Sequence, residues 1–157
     1  MQPAIPISET SLFAQPVWLK TLRLGLLLGA CGWIISFFFT FAPWGMARDR
    51  LYEMGSRPIR YDPMLDYWMR MASATFGCIG VALAIACVRP LQFLPLIKLM
   101  GPFHFIMGFI LLVAALNNDL APPQHTSFIA DITFCFLTGL LTQVPLIRES
   151  RARKKQR

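Results

Sequence analysis

Charge is scarce in this chain. Only 15% of its 157 residues are Asp, Glu, Lys or Arg, against about a quarter in an ordinary soluble domain. Hydrophobic residues make up 55%. That imbalance argues for a surface that faces lipid rather than for a large buried core. Cysteine is limited to Cys31, Cys78, Cys87 and Cys135, each in an apolar stretch, with no CxxC pair. A zinc site or a disulfide framework is therefore poorly supported, and such cysteines behave as small hydrophobes. The sequence has no GxSxG, HExxH, Walker or GxGxxG pattern, so no familiar catalytic or nucleotide-binding motif marks it. Residues 1–19 contain no Lys or Arg and no apolar run of signal-peptide length, so no cleaved signal is expected there. No internal repeat or low-complexity tract is present.

What the chain does have is four apolar runs of about the ~20 residues that cross a bilayer as a helix. They are 24–44, 68–88, 93–116 and 127–147. Lipid cannot satisfy open backbone groups, so the expected fold is all-α, an integral membrane four-helix transmembrane bundle. Residues 1–23 form an N-terminal segment, 45–67 an outer loop and 148–157 a basic tail. The net charge is +7, and six of the fifteen Lys and Arg lie in that tail. Nucleic-acid binding would need groove-reading or aromatic neighbours, which the tail lacks; the charge reads as a positive-inside anchor. With both termini cytoplasmic, Lys20, Arg23, Arg89, Lys98 and the tail give ten basic residues inside. Arg48, Arg50, Arg57, Arg60 and Arg70 give five outside. The expected location is a bacterial cytoplasmic (inner) membrane, crossed several times. The outer loop carries Tyr52, Tyr61, Tyr67 and Trp68, suited to a membrane interface, and a short interfacial helix is expected over 46–54.

Small and polar residues recur every three or four positions on each run, which places them on one helical face. The sets are Gly25, Gly29, Gly32, Ser36 and Thr40; Arg70, Ser73, Gly77, Gly80 and Ala84; Gly101, His104, Gly108 and Ala115; Asp131, Cys135, Thr138 and Thr142. Small residues let membrane helices approach closely. The GxxxG of Gly25 and Gly29 fits packing within the chain better than a dimer face. Ionisable residues within the membrane normally face the bundle and find partners. Counted from the run ends, Arg70 and Asp131 lie at similar depth, so an Arg70–Asp131 ion pair is expected near the outer surface. That pair either locks two helices or borders an outward polar pocket of Thr40, Arg70, His104, Asn117 and Asp131, with Tyr67 close by. His104 follows Pro102, which cannot donate a backbone hydrogen bond and leaves a carbonyl free. A neutral histidine bonded to Ser36, Thr138 or that carbonyl is the first reading; a proton relay or quinone hydrogen bond is the second. Haem is disfavoured, because the other histidine, His125, falls in the outer loop and leaves no bis-His site, so that only a His–Met pairing with one of the eight methionines stays open. Lys98 snorkels to the interface. Asp62 and Asp66 in the outer loop have basic neighbours and read as solvated charges. No metal, cofactor or catalytic residue is expected.

The layout resembles small four-helix bacterial membrane proteins of the DoxX-like kind. The resembling features are a long outer connection after the first run, and an arginine opening a glycine-bearing second run (RMASATFGCIGVALA). A short basic turn follows (VRPLQ), and an acidic residue opens the last run (FIADITF). The resemblance implies an accessory membrane subunit, in some relatives beside a quinone-linked oxidoreductase. The residues themselves point to a non-enzymatic accessory or scaffold subunit, or a binder of a small lipophilic ligand. The alternative is a membrane subunit of a quinone-linked oxidoreductase. Expected partners are the lipid bilayer and a membrane protein or a second copy, with no nucleic acid. A transporter is less well supported, since only Pro102 interrupts a run.

Overall fold

The computed structural model describes residues 16–118, 120 and 127–155, and all of its long elements are helices. The first fifteen residues, the His125 loop and the last two residues of the tail lie outside the described residues. In chain order the helices are α1 (Pro16–Ile34), α2 (Phe37–Phe41), α3 (Trp44–Glu53), α4 (Pro63–Val88), α5 (Leu94–Asn117) and α6 (Ser127–Lys155). Four stretches are long and apolar enough to cross a membrane: Pro16–Phe41, Pro63–Val88, Leu94–Asn117 and Phe128–Ala152. The chain is a multi-pass membrane protein built as an all-α bundle.

The boundaries differ from the apolar runs at two places. The first helix starts at Pro16, so Lys20 and Arg23 are helical rather than part of a preceding segment. The last helix runs on through the basic tail to Lys155. Charge ends an apolar run, but it does not end a helix: Lys and Arg are good helix formers. A short helix stands where one is expected over 46–54, as α3 at Trp44–Glu53. Gly55 follows it with φ of 100°, the left-handed conformation that lets the chain turn back after the helix.

α4 shows its start in the sequence. Asp62 accepts hydrogen bonds from the backbone N–H of Met64 (2.8 Å) and Leu65 (3.2 Å), and Pro63 occupies the first helical position. Asp62 is thus a helix cap, a more specific role than a solvated charge.

Glycines set the packing. α1 lies between α4 and α6, and α5 packs chiefly on α6. At Gly80 a Cβ would stand 2.6 Å from the Ile34 backbone nitrogen, and at Gly25 it would stand 2.7 Å from Leu141 Cβ and 3.0 Å from its carbonyl carbon. Gly29 is filled by Leu83 and Thr138, Gly32 by the Phe134 ring, Gly77 by the Phe37 ring. The GxxxG of Gly25 and Gly29 is therefore used inside the chain. At Gly25 and Gly80 backbones come close, and at the other interior glycines a neighbouring side chain fills the space, packing that replaces the hydrophobic driving force helices lack in lipid.

Between Ile34 and Phe37 the first span breaks. The Ser36 N–H donates to Trp33 O (3.1 Å), and Phe38 and Phe39 donate three residues back to Ile35 and Ser36. The ladder tightens there from four-residue to three-residue spacing. Beyond the break, α2 packs on α4, and α6 is left without this neighbour at its outer end.

Candidate functional site

The interior polar centre lies at mid-bundle, where all four spans contribute a ring. Trp33 of α1 is 4.9 Å from Phe76 of α4, 6.0 Å from Phe103 and 5.9 Å from His104 of α5, and 5.9 Å from Phe134 of α6, measured between ring centres. His104 is fully buried. Trp33 Nε1–H donates to His104 Nε2 at 2.9 Å. An indole can only donate, so Nε2 is unprotonated and the proton sits on Nδ1, which donates to Met100 O at 2.6 Å. The imidazole is neutral with both nitrogens engaged. Its partners are Trp33 and its own helix, rather than Ser36 or Thr138. Thr142 is likewise satisfied, through Thr138 O and Gly139 O. The Thr138 hydroxyl is buried without a partner.

One turn toward the inner end, Pro102 removes the hydrogen bond that Lys98 O would otherwise receive. Gln143 of α6 supplies the replacement: its Nε2 donates to Lys98 O at 3.2 Å. Gly101 makes room, because a Cβ there would collide with the Gln143 side chain. The helix interruption at Pro102 is thereby repaired by a neighbouring span.

Arg70 anchors the outer end of α2. Its Nη1 donates to Thr40 O at 2.9 Å and its Nη2 to Ala42 O at 3.1 Å. Those carbonyls end a helix and have no intrahelical donor, and the negative end of the helix dipole favours a cation. Arg70 Nε also bonds Asp66, one turn before it, at 3.1 Å to each carboxylate oxygen. Asp66 is only 18% exposed, so this pair is better shielded than a surface ion pair.

The expected Arg70–Asp131 ion pair does not form. Two facts explain it. α4 and α6 are separated by α1, so their faces do not meet. Their depths also differ. Gly25, Gly29 and Gly32 meet Leu141, Thr138 and Phe134 in turn. Continued by one turn, that antiparallel register puts Asp131 level with the Ile35–Ser36 break. Arg70 instead reaches the end of α2, six residues further out, or roughly 9 Å.

Asp131 is consequently exposed, although Cys135, Thr138 and Thr142 on the same helical face are buried. It makes no hydrogen bond or ion pair among the described residues. It is not at the membrane edge either. Gly108 meets Cys135 and Gly139 meets Phe105, so Asp131 is level with Leu112, about 7 Å inside the end of α5. Asn117 is exposed at that end, and Tyr67 is exposed against Trp68. Of the five pocket residues expected from the sequence, the structure brings Thr40 and Arg70 together. His104, Asn117 and Asp131 each stand apart from them. Among the described residues, no group of three or more His, Cys, Asp or Glu is placed to hold a metal ion.

No protein-family model, curated protein or solved structure matches the chain. Its chemistry must therefore be argued from the arrangement itself. That arrangement has an aromatic and histidine centre, a repaired proline site, a capped end of α2, and one exposed carboxylate, Asp131, without a partner among the described residues.

Proposed function

We propose that the protein is a non-catalytic accessory subunit, a membrane scaffold whose outer half docks a second membrane protein. Asp131 carries this reading. A carboxylate within a membrane-spanning helix is costly to leave in lipid and normally faces a partner group. Here the first span breaks level with it, and no described residue pairs with it. A partner helix bearing Lys or Arg at that depth would supply the missing charge. A second copy of this chain fits poorly, because Lys20 and Lys98 lie toward the opposite ends of their spans and Arg70 is already engaged. The Lys and Arg distribution favours both termini on the cytoplasmic side, and the DoxX-like resemblance is in keeping with a bacterial inner membrane and an accessory role.

The quinone-linked alternative is less well supported. It would ask His104 to handle protons, and both of its nitrogens are held by Trp33 and Met100. The test is a photo-crosslinker at Ala130, exposed beside Asp131, in native membranes. The expected product contains another membrane protein with a Lys or Arg inside a span, and Asp131→Leu abolishes it. A product unaffected by Asp131→Leu, or none beyond lipid adducts, contradicts the proposal.

A further inference from the structure

α3 folds back beside the outer end of the first span and leaves a groove of about 360 Å³. It is lined by Phe38 and Phe39 of α2, Arg50 and Glu53 of α3, and Met54 just after α3. That volume lies within the range of small-molecule sites. Phe38 and Met54 are both more than two-fifths exposed, so the apolar wall is open. The level of the groove is that of lipid headgroups: Trp44 packs on Tyr61 and Tyr67 on Trp68 around the same end of the bundle, the aromatic arrangement of a membrane interface.

The charges decide the class of occupant. Arg50 Nη1 contacts Glu53 Oε2 at 2.7 Å, and both side chains are about three-fifths exposed. Next to them Arg48 pairs with Asp49 at 2.7 Å. α3 thus presents alternating, balanced charge with no net attraction for an anion. A headgroup that carries one charge of each sign complements it: a phosphate for the unused guanidinium N–H groups of Arg50, and a cation for the free oxygen of Glu53. A primary ammonium can donate hydrogen bonds to that carboxylate, whereas a quaternary ammonium cannot. We infer that this groove binds a phospholipid with a primary-amine zwitterionic headgroup, phosphatidylethanolamine in type, with an acyl chain along Phe38 and Phe39. The inference stands apart from the docking role of Asp131, which lies deeper and on α6.

The test is native mass spectrometry of the full chain in mild detergent, titrated with phosphatidylethanolamine, phosphatidylcholine and phosphatidylglycerol of identical acyl chains. The wild type should retain phosphatidylethanolamine about tenfold better than either, the size expected from one hydrogen bond to a charged group. E53Q should bring phosphatidylethanolamine down to the level of phosphatidylcholine, because only the primary ammonium donates to that carboxylate, whereas R50Q should weaken all three lipids, which share the phosphate, and keep phosphatidylethanolamine ahead. Phe38→Ala should weaken all three together and leave their order unchanged. Arg50 and Glu53 are exposed, so these variants should fold, and an unchanged elution profile and helical circular dichroism would verify it. Equal or tighter retention of phosphatidylglycerol by the wild type overturns the inference. So does a preference for phosphatidylethanolamine over phosphatidylcholine that persists in E53Q, or retention of all three lipids unchanged in R50Q, either of which would place the lipid elsewhere.

Discussion

The two ends of the first span behave differently toward the same neighbour. From Leu22 to Trp33 it is clasped between α4 and α6, and glycines on either side bring backbones into contact. From Phe37 onward it packs chiefly on α4. In the clasped half, two polar side chains bond across helices, His104 with Trp33 and Gln143 with Lys98 O, while Thr142 bonds its own helix and the Thr138 hydroxyl is buried unbonded. In the open half, Asp131 sits on the same face of α6 as the buried threonines and finds none. What separates a structural polar residue from a candidate docking residue here is the departure of one neighbouring helix, more than the residue's own position in its helix.

The comparison is broken most severely by closing the space at a clasped glycine. Gly80→Leu would drive a Cβ against the Ile34 backbone, which cannot move aside as a side chain can. We expect a loss of about 3 kcal/mol or failure to fold, read as unfolding in detergent. The same change at Gly45, with nothing within 4 Å of its Cβ position, should be close to neutral.

His104→Ala should come next, at about 3 kcal/mol, since it leaves both a void and an unpaired buried indole N–H. Trp33→Phe should cost less than His104→Ala. Equal thermal stability of wild type and His104→Ala would remove the mid-bundle centre from the account.

A milder and sharper test is Gln143→Leu, expected to cost about 1 kcal/mol by leaving Lys98 O unbonded. The cost should shrink when Pro102→Ala is also present, because alanine restores the native donor to that carbonyl. Additive losses would show that Gln143 does not repair the proline site. At the outer end, Arg70→Gln should cost about 1 kcal/mol by releasing Thr40 O and Ala42 O. Asp66→Asn should reproduce only part of that loss.

Much of this was legible in the sequence. Stripes at three- and four-residue spacing identified Gly25, Gly29, Gly77, Gly80, Gly101 and Gly108 as packing positions, because helical periodicity fixes a face whatever the tertiary arrangement. Neighbour order is not encoded locally, and the Arg70–Asp131 pairing fails on it: α1 stands between the two helices. Depth counted from the ends of apolar runs also misleads, since α4 begins at Pro63 and the first span breaks at residues 35–36. Three residues outside the expected site carry much of its geometry. Asp66 was detectable as a carboxylate four residues before Arg70 and one turn after a capping Asp62. Gln143 was detectable as a lone amide in an apolar helix when Pro102 requires an external donor. Trp33 gave no such signal: its partner lies 71 residues away in the chain.

The most direct test of the open outer half is the thermal stability of Asp131→Leu, measured in one detergent beside the wild type and His104→Ala. A carboxylate with no partner among the described residues contributes little to the isolated fold, so Asp131→Leu should unfold within about 0.5 kcal/mol of the wild type or be slightly more stable, while His104→Ala unfolds far earlier. A loss for Asp131→Leu comparable to that of His104→Ala would mean that the carboxylate is paired within the fold, and the docking account would be wrong.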